Sequence, residues 1–334
     1  MYEDANLWNG ADAGERVKLC RLAREAFTGQ VSIMIPTYLA VEGGTVGCLV
    51  PAMAALEEHL HERVGFGICC MSLPDEARTI LAAQAVIGRC RLVVWIDSDM
   101  QFTPESLVTL VDHALAWYNG TPDERESGAD PERAEIFRHN AILRSTLFAW
   151  GALYPTRGPS PQLCVSFRGE GGRPAYWTPG AAEFKRTLEE NAAIEVTGGL
   201  GFGFMATPGA ALGLLPEEAF GRVYDRTEKR FWGEDFSFCQ RLIRAGGAVF
   251  ADLRIPGVSH NVPRLQNLVS VYLDLERLEG GPEVPVDVRL RRIPVTTPHQ
   301  KGGVVVPAVP GAEIRSEDIP IEVDDGDYEE GRER

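Results

Sequence analysis

Two aspartates, Asp97 and Asp99, stand one residue apart at the end of the apolar run Val93-Val94-Trp95-Ile96. Alternation along an extended chain lets both carboxylates face the same way, where they repel each other unless a positive charge lies between them. Oxygen ligands suit Mg²⁺ or Mn²⁺, and magnesium is commonly held by few carboxylates together with substrate phosphates. The pair therefore reads as a divalent-cation site that presents a phosphorylated ligand. It reads equally as a capped turn, with Asp97 closing the turn and Asp99 a solvated loop acid. A second acid pair, Glu234-Asp235, follows Gly233 at the head of a helical pattern, where negative charge is favourable to the helix dipole.

The elements that must position these residues alternate along the chain. Apolar spacing predicts helices over 15–27, 51–64, 74–88 and 103–117, the third with Pro74 at its start and the last with Thr103 as N-cap and Glu105 in its first turn. Short continuous apolar runs predict strands over 31–36, 65–73, 91–96, 147–155 and 248–255. Residues 194–208 are strand-like but interrupted by glycine, and 231–247 form a turn and a helix ending at a glycine pair. Such alternation predicts βαβ units and an α/β fold with a mostly parallel sheet covered on both faces. Residues 119–140 are polar enough for an exposed insertion or lid, and 169–180 are loop-like. In an open parallel sheet ligands bind outside the carboxyl ends of the strands. Pro36-Thr37-Tyr38, Asp97-Ser98-Asp99 and Tyr154-Pro155 all fall there.

Bulk properties bound the remaining possibilities. The chain of 334 residues has length for one large domain or two, and a hydrophobic content of 44% is enough for a core. No apolar run approaches the ~20 residues that span a bilayer, and no secretory leader pattern opens the chain, so a cytoplasmic protein with no membrane partner is expected. Seven cysteines in unpaired spacing read as buried thiols rather than a zinc site. Of the net charge of −15, the segment 311–334 alone carries ten acids against three bases. An acidic surface disfavours non-specific capture of nucleic acid.

The order "VSIMIPTY", "WIDSDMQFTPESL", "GALYP", "TGGLGFGFM", "WGEDFSFCQRL" and "ADLRIPGVSH" resembles the GT-A (Rossmann-like) fold of family 2 glycosyltransferases, and more closely the family-2-like glycosyltransferases of bacteriophage genomes. The resemblance covers residues 30–262. It implies a GT-A domain (30–262); spacing and composition outside it predict an N-terminal helical segment (1–29), a C-terminal helix and extended arm (263–310) and an acidic, disordered tail (311–334). It implies transfer of a sugar from a nucleoside-diphosphate sugar to an acceptor hydroxyl, with inversion, aided by Mn²⁺ or Mg²⁺. Pro36, Thr37 and Tyr38 would line the nucleoside pocket. Asp97 would face the ribose or base and the metal, with Ser98 as spacer, while Asp99 and His260 would complete the metal ligands. Asp235 would be the general base, with Glu234 beside it as the capping member.

Other residues fit this reading less tightly. Gly198, Gly199, Gly201 and Gly203 are no phosphate loop, as no Gly-Lys-Ser/Thr follows; they offer a floor for a sugar ring or close packing of backbone. Trp232 could stack on a sugar, or simply belong to the core. After the second strand the family's acidic cluster is reduced to Asp75 and Glu76, with Arg78 as a candidate phosphate contact. Phage enzymes of this type imply a hydroxymethylated pyrimidine in DNA as acceptor, with Arg289, Arg291 and Arg292 as a candidate phosphate strip or a solvated strand face. A protein or cell-surface glycan is the alternative acceptor. A sugar nucleotidyltransferase would need a Gly-rich, basic loop where this chain has Pro-Thr-Tyr-Leu-Ala, and a non-catalytic nucleotide-sugar-binding module is the remaining alternative.

Overall fold

The computed structural model describes residues 11–38, 40–71, 73–120, 131–156, 162–168, 174–177, 189, 193–216, 218–225 and 230–260. The chain divides into two units, Met1–Arg289 and Leu290–Arg334, and every described residue belongs to the first. The expected arm, tail and arginine strip lie outside the described residues.

Along the chain the elements are α1 (Ala13–Ala26), β1 (Val31–Thr37), α2 (Gly43–Leu60), β2 (Gly65–Cys70), α3 (Pro74–Ile87), β3 (Leu92–Ile96), β4 (Met100–Gln101), α4 (Pro104–Asn119), α5 (Pro131–Thr146) and β5 (Phe148–Ala152). Then come β6 (Val165–Arg168), β7 (Pro174–Tyr176), β8 (Ala193–Glu195), β9 (Gly199–Leu200), β10 (Phe204–Pro208), α6 (Gly209–Leu214), β11 (Tyr224–Asp225), β12 (Arg230–Phe231), α7 (Glu234–Arg244), β13 (Ala248–Asp252) and β14 (Ser259–His260).

Seven strands form one sheet in the order β2-β1-β3-β10-β5-β13-β8. Five of them, β1, β2, β3, β5 and β13, run the same way; β10 and β8 run against them. The fold is thus mixed α/β and Rossmann-like, with a mainly parallel sheet flanked by helices. The interior strands β1, β3, β5, β10 and β13 are buried throughout, as their unbroken apolar runs require. Alternation divides their side chains between two cores. Val93, Trp95, Ala149 and Val249 join one with Leu81 of α3, and Ile33, Val94, Ile96 and Phe250 join the other with Leu107 and Leu110 of α4. The edge strand β2 is only half covered, with Phe66, Ile68 and Cys70 exposed.

The N-terminal helix is part of this body. Asp12 and Glu15 close a capping box at its start, Cys20 enters the core, and Arg24 Nη1 donates to Ser145 Oγ on α5 at 3.0 Å.

Several boundaries differ from expectation. α2 begins at Gly43 and runs through Pro51, which is exposed, so that water can serve the backbone groups the proline leaves unbonded. Within 119–140, the part from Pro131 onward is helical in α5, and within 169–180 residues Pro174–Tyr176 form β7. The glycine-rich 194–208 is three strands in two sheets: β8 and β10 in the large one, β9 paired with β6. The last described strand is β14, which returns to pair antiparallel with β4 and sets His260 opposite Met100. Of the seven free cysteines, Cys20, Cys90 and Cys239 are buried, whereas Cys70 is exposed at the end of β2. Burial pushes Cys20 up to about 11 and Cys239 up to about 12, so both are inert thiols at neutral pH.

Candidate functional site

The parallel strands β1, β3 and β5 end on one edge, and the polar residues that follow them gather there. Ile96 closes β3, and the Asp97 N–H donates to Gly203 O at 3.0 Å, just ahead of β10. A turn follows, in which the Met100 N–H donates to Asp97 O at 3.2 Å. The Ser98 backbone carbonyl accepts from the Glu42 N–H and the Thr45 hydroxyl, both at 2.9 Å. The head of α2 is thereby fastened to the loop between the two aspartates.

The two aspartates meet different partners. Asp97 Oδ1 accepts from Arg78 Nη2 at 2.6 Å, and Arg78 Nη1 bonds Glu234 Oε1. Asp99 is buried, and its Oδ2 lies 3.6 Å from Nδ1 of buried His260. The pairing of β14 with β4 makes this approach possible, because it carries the chain back to the segment just beyond Asp99. The His260 ring packs edge-on against Tyr154, with centroids 5.2 Å apart. Tyr154, from just beyond β5, is fully enclosed, and its hydroxyl oxygen accepts the Gly203 N–H at 2.7 Å. Burial raises the Tyr154 phenol well above its ordinary range, so it stays neutral.

Asp235 lies in the first turn of α7, beside Glu234, and its Oδ1 accepts the Phe236 N–H at 2.7 Å. Although Asp235 keeps partial solvent contact, burial and the neighbouring Glu234 push its carboxyl up to about 7, against the opposing pull of Arg78 and the Phe236 N–H. A carboxyl poised there can take a proton at neutral pH.

The remaining expected residues are distributed as follows. Pro36 and Thr37 are buried within β1, in register with Cys69 and Cys70, and the Thr37 hydroxyl donates to Ala40 O at 2.7 Å. Of that trio only Tyr38 is open to solvent, at 63%. Asp75 lies in the first turn of α3, 3.5 Å from Arg222. Arg78 departs from the expected phosphate contact: it is 3% exposed and both terminal nitrogens are occupied by carboxylates. The glycines are accounted for by close packing. A Cβ on Gly198 would stand 2.4 Å from Ser166 O, one on Gly199 2.3 Å from the Phe236 ring, and one on Gly201 or Gly203 2.6 Å from the Tyr154 hydroxyl. Trp232 sits partly buried, edge-on to Phe236 at 6.4 Å.

A divalent cation fits part of this arrangement. Asp99 and His260 offer one oxygen and one nitrogen donor close together, two of the ligands that a Mg²⁺ or Mn²⁺ ion takes. Asp97, the third expected ligand, is turned to Arg78 instead. Among the described residues no three His, Cys, Asp or Glu side chains converge as a metal cage.

No known family profile and no curated protein matches the chain. Among solved structures it is similar to the crystal structure of A197 from STIV, at 10% identity and a TM-score of 0.33, over 71% of this chain and 93% of that one. Likeness at that level says nothing about function.

Proposed function

We propose that the protein is a metal-dependent glycosyltransferase that moves a sugar from a nucleoside-diphosphate sugar to an acceptor hydroxyl with inversion. One observation carries this reading: Asp235, held near a pKa of 7, shares the carboxyl edge of the sheet with the Asp97–Asp99 turn and His260. The family resemblance of the motifs supports it.

In this mechanism Asp235 accepts the proton of the acceptor hydroxyl as that oxygen attacks the anomeric carbon. The bond from the anomeric carbon to the diphosphate oxygen breaks on the opposite face, so the configuration inverts. Asp99 and His260 would hold the cation, which when bound neutralises charge developing on the diphosphate leaving group. Tyr38, exposed beyond β1, is the open residue for nucleoside contact. Tyr154 keeps the His260 ring oriented, and the hydrogen bonds to the Ser98 carbonyl hold the aspartate turn in place. The proposed acceptor is a hydroxymethylated pyrimidine in DNA, on the strength of the resemblance to phage enzymes.

The test is donor hydrolysis with UDP-, GDP- and CDP-sugars, read as released nucleotide. Turnover is expected to be lost with EDTA, restored by Mn²⁺, and lowered about 10²–10⁴-fold by Asp235→Asn. Metal-independent turnover, or turnover that survives Asp235→Asn, would overturn the mechanism. Donor binding without any turnover would point to a binding module. Incubation with hydroxymethylated DNA and the active donor should add a sugar mass to the base; transfer to a protein or glycan instead would reassign the acceptor.

A further inference from the structure

Arg78 is the most enclosed charge of the candidate site, and nothing in the reaction outlined above uses it. We propose that Arg78 is a positioning residue, whose buried guanidinium ties Asp97 at the end of β3 to Glu234 at the head of α7 and so sets Asp235 at the carboxyl edge of the sheet. The inference rests on reading Asp235 as the base.

Three features of the geometry support it. The guanidinium is clasped from two sides, Nη2 bonding Asp97 at 2.6 Å and Nη1 bonding Glu234, while its plane lies over the Phe202 ring with Cζ 5.0 Å from the centroid. Its Nε, although buried, makes no hydrogen bond. A buried donor left unbonded calls for an explanation, and here the two terminal nitrogens are spent on bridging separate elements. Glu234 and Asp235 share the first turn of α7, so whatever fixes one carboxylate fixes the backbone that presents the other.

Charge balance points the same way. Asp97, Glu234 and Asp235 all act on the one guanidinium; burial works against its charged form, yet these carboxylates hold it above its ordinary value. The other titratable groups acting with Asp235 are the Tyr154 phenol and the Cys239 thiol, both held neutral by burial. Lysine could not replace this residue, because a point charge on a flexible stem lacks the planar fork that bonds two carboxylates while stacked on a ring. Burial keeps a donor phosphate from Arg78, which is 3% exposed.

The experiment compares Arg78→Met, Arg78→Lys and the double variant Arg78→Met/Glu234→Gln with wild type. For donor hydrolysis, Arg78→Met is expected to lower kcat about 100-fold and Arg78→Lys about tenfold, with donor KM within about twofold of wild type. An effect confined to KM would mean that Arg78 binds the donor, and wild-type kcat in Arg78→Met would mean that it positions nothing; either overturns the proposal. Circular dichroism and melting show which variants fold. Should Arg78→Met fail to fold, the double variant, which removes the cation together with an anion it neutralises, is expected to fold and stay slow; wild-type turnover in it overturns the proposal. NMR of ¹³C-carboxyl-labelled aspartate follows Asp235 without any turnover, and its titration midpoint is expected to rise in Arg78→Lys. An unmoved midpoint overturns the positioning role. A wild type that hydrolyses no donor removes the function proposed above, and the NMR titration then still decides whether Arg78 positions Asp235.

Discussion

Asp235 is a carboxyl whose neighbours disagree, and that disagreement makes it testable. Burial and Glu234 raise it to about 7, while Arg78 and the Phe236 N–H pull it down. Removing Glu234, the largest of the charge effects, should therefore lower it: Glu234→Gln is expected to shift the rising limb of the pH–rate profile to lower pH, as read from donor hydrolysis across about pH 5–9. The same carboxyl bears on stability. Its folded value of about 7 lies above the ordinary 3.8, so protonation favours the folded state; that contribution is whole below about pH 4 and is lost as pH rises through 7. Asp235→Asn, which cannot ionise, is expected to melt at a higher temperature than wild type at about pH 8, with the gap closing towards pH 4. Catalysis and stability thus make opposite demands on one residue. The two aspartates of the β3 turn were legible as a pair, and the family resemblance set His260 beside Asp99, but nothing in the sequence set Arg78 against Asp97. Arg78 lies one helix earlier and His260 comes from a two-residue strand, neither of which any spacing rule links to Asp97-Ser98-Asp99.

Among elements, the opposite electrostatic case is Asp252 at the end of β13. It is wholly buried and accepts from Trp150 Nε1 of β5 at 2.8 Å, while its Oδ2 lies 2.7 Å from His113 Nδ1 of α4. Arg254 adds its Nε, Nη2 and backbone N–H within 2.9 Å. Burial opposes ionisation here, but these donors win and hold the carboxyl well below the usual range. A depressed value means that the stabilisation is present above the unfolded pKa and is lost as pH falls through the folded one. Asp252→Ala leaves those donors facing an apolar cavity and is expected to cost about 3–5 kcal/mol in urea unfolding at neutral pH, less in acid. The elements themselves were readable where periodicity was undisturbed: β1, β3 and α4, with its Thr103 cap, stand close to where their spacing puts them. Reading failed where glycine and proline have more than one use. Pro51 sits inside α2, and the glycines of 198–203 mark breaks between strands of different sheets, forced by the Phe236 and Tyr154 rings that occupy the Cβ positions.

For the whole molecule, the net charge of −15 sets the terms of any encounter with DNA. Long-range attraction to phosphate is absent, so a DNA acceptor would depend on a local cluster of arginines. Replacing Arg289, Arg291 and Arg292 by glutamine is expected to reduce transfer to hydroxymethylated DNA about tenfold at about 0.15 M salt, with donor hydrolysis within about twofold of wild type. Equal loss of both activities would place those arginines in folding rather than in acceptor binding. No helix among the described residues is long and apolar enough to cross a membrane.

Local pattern was enough to specify the strand–helix alternation, the mainly parallel sheet and the polar residues at its carboxyl edge, because burial on both faces of a strand and on one face of a helix leaves a mark within a few adjacent residues. Which side chain meets which aspartate was decided by tertiary structure. Arg78 and His260 reach the β3 turn from other parts of the chain, Glu234 meets Arg78 there, and the low-dielectric surroundings that lift Asp235 to about 7 exist only once those elements have packed.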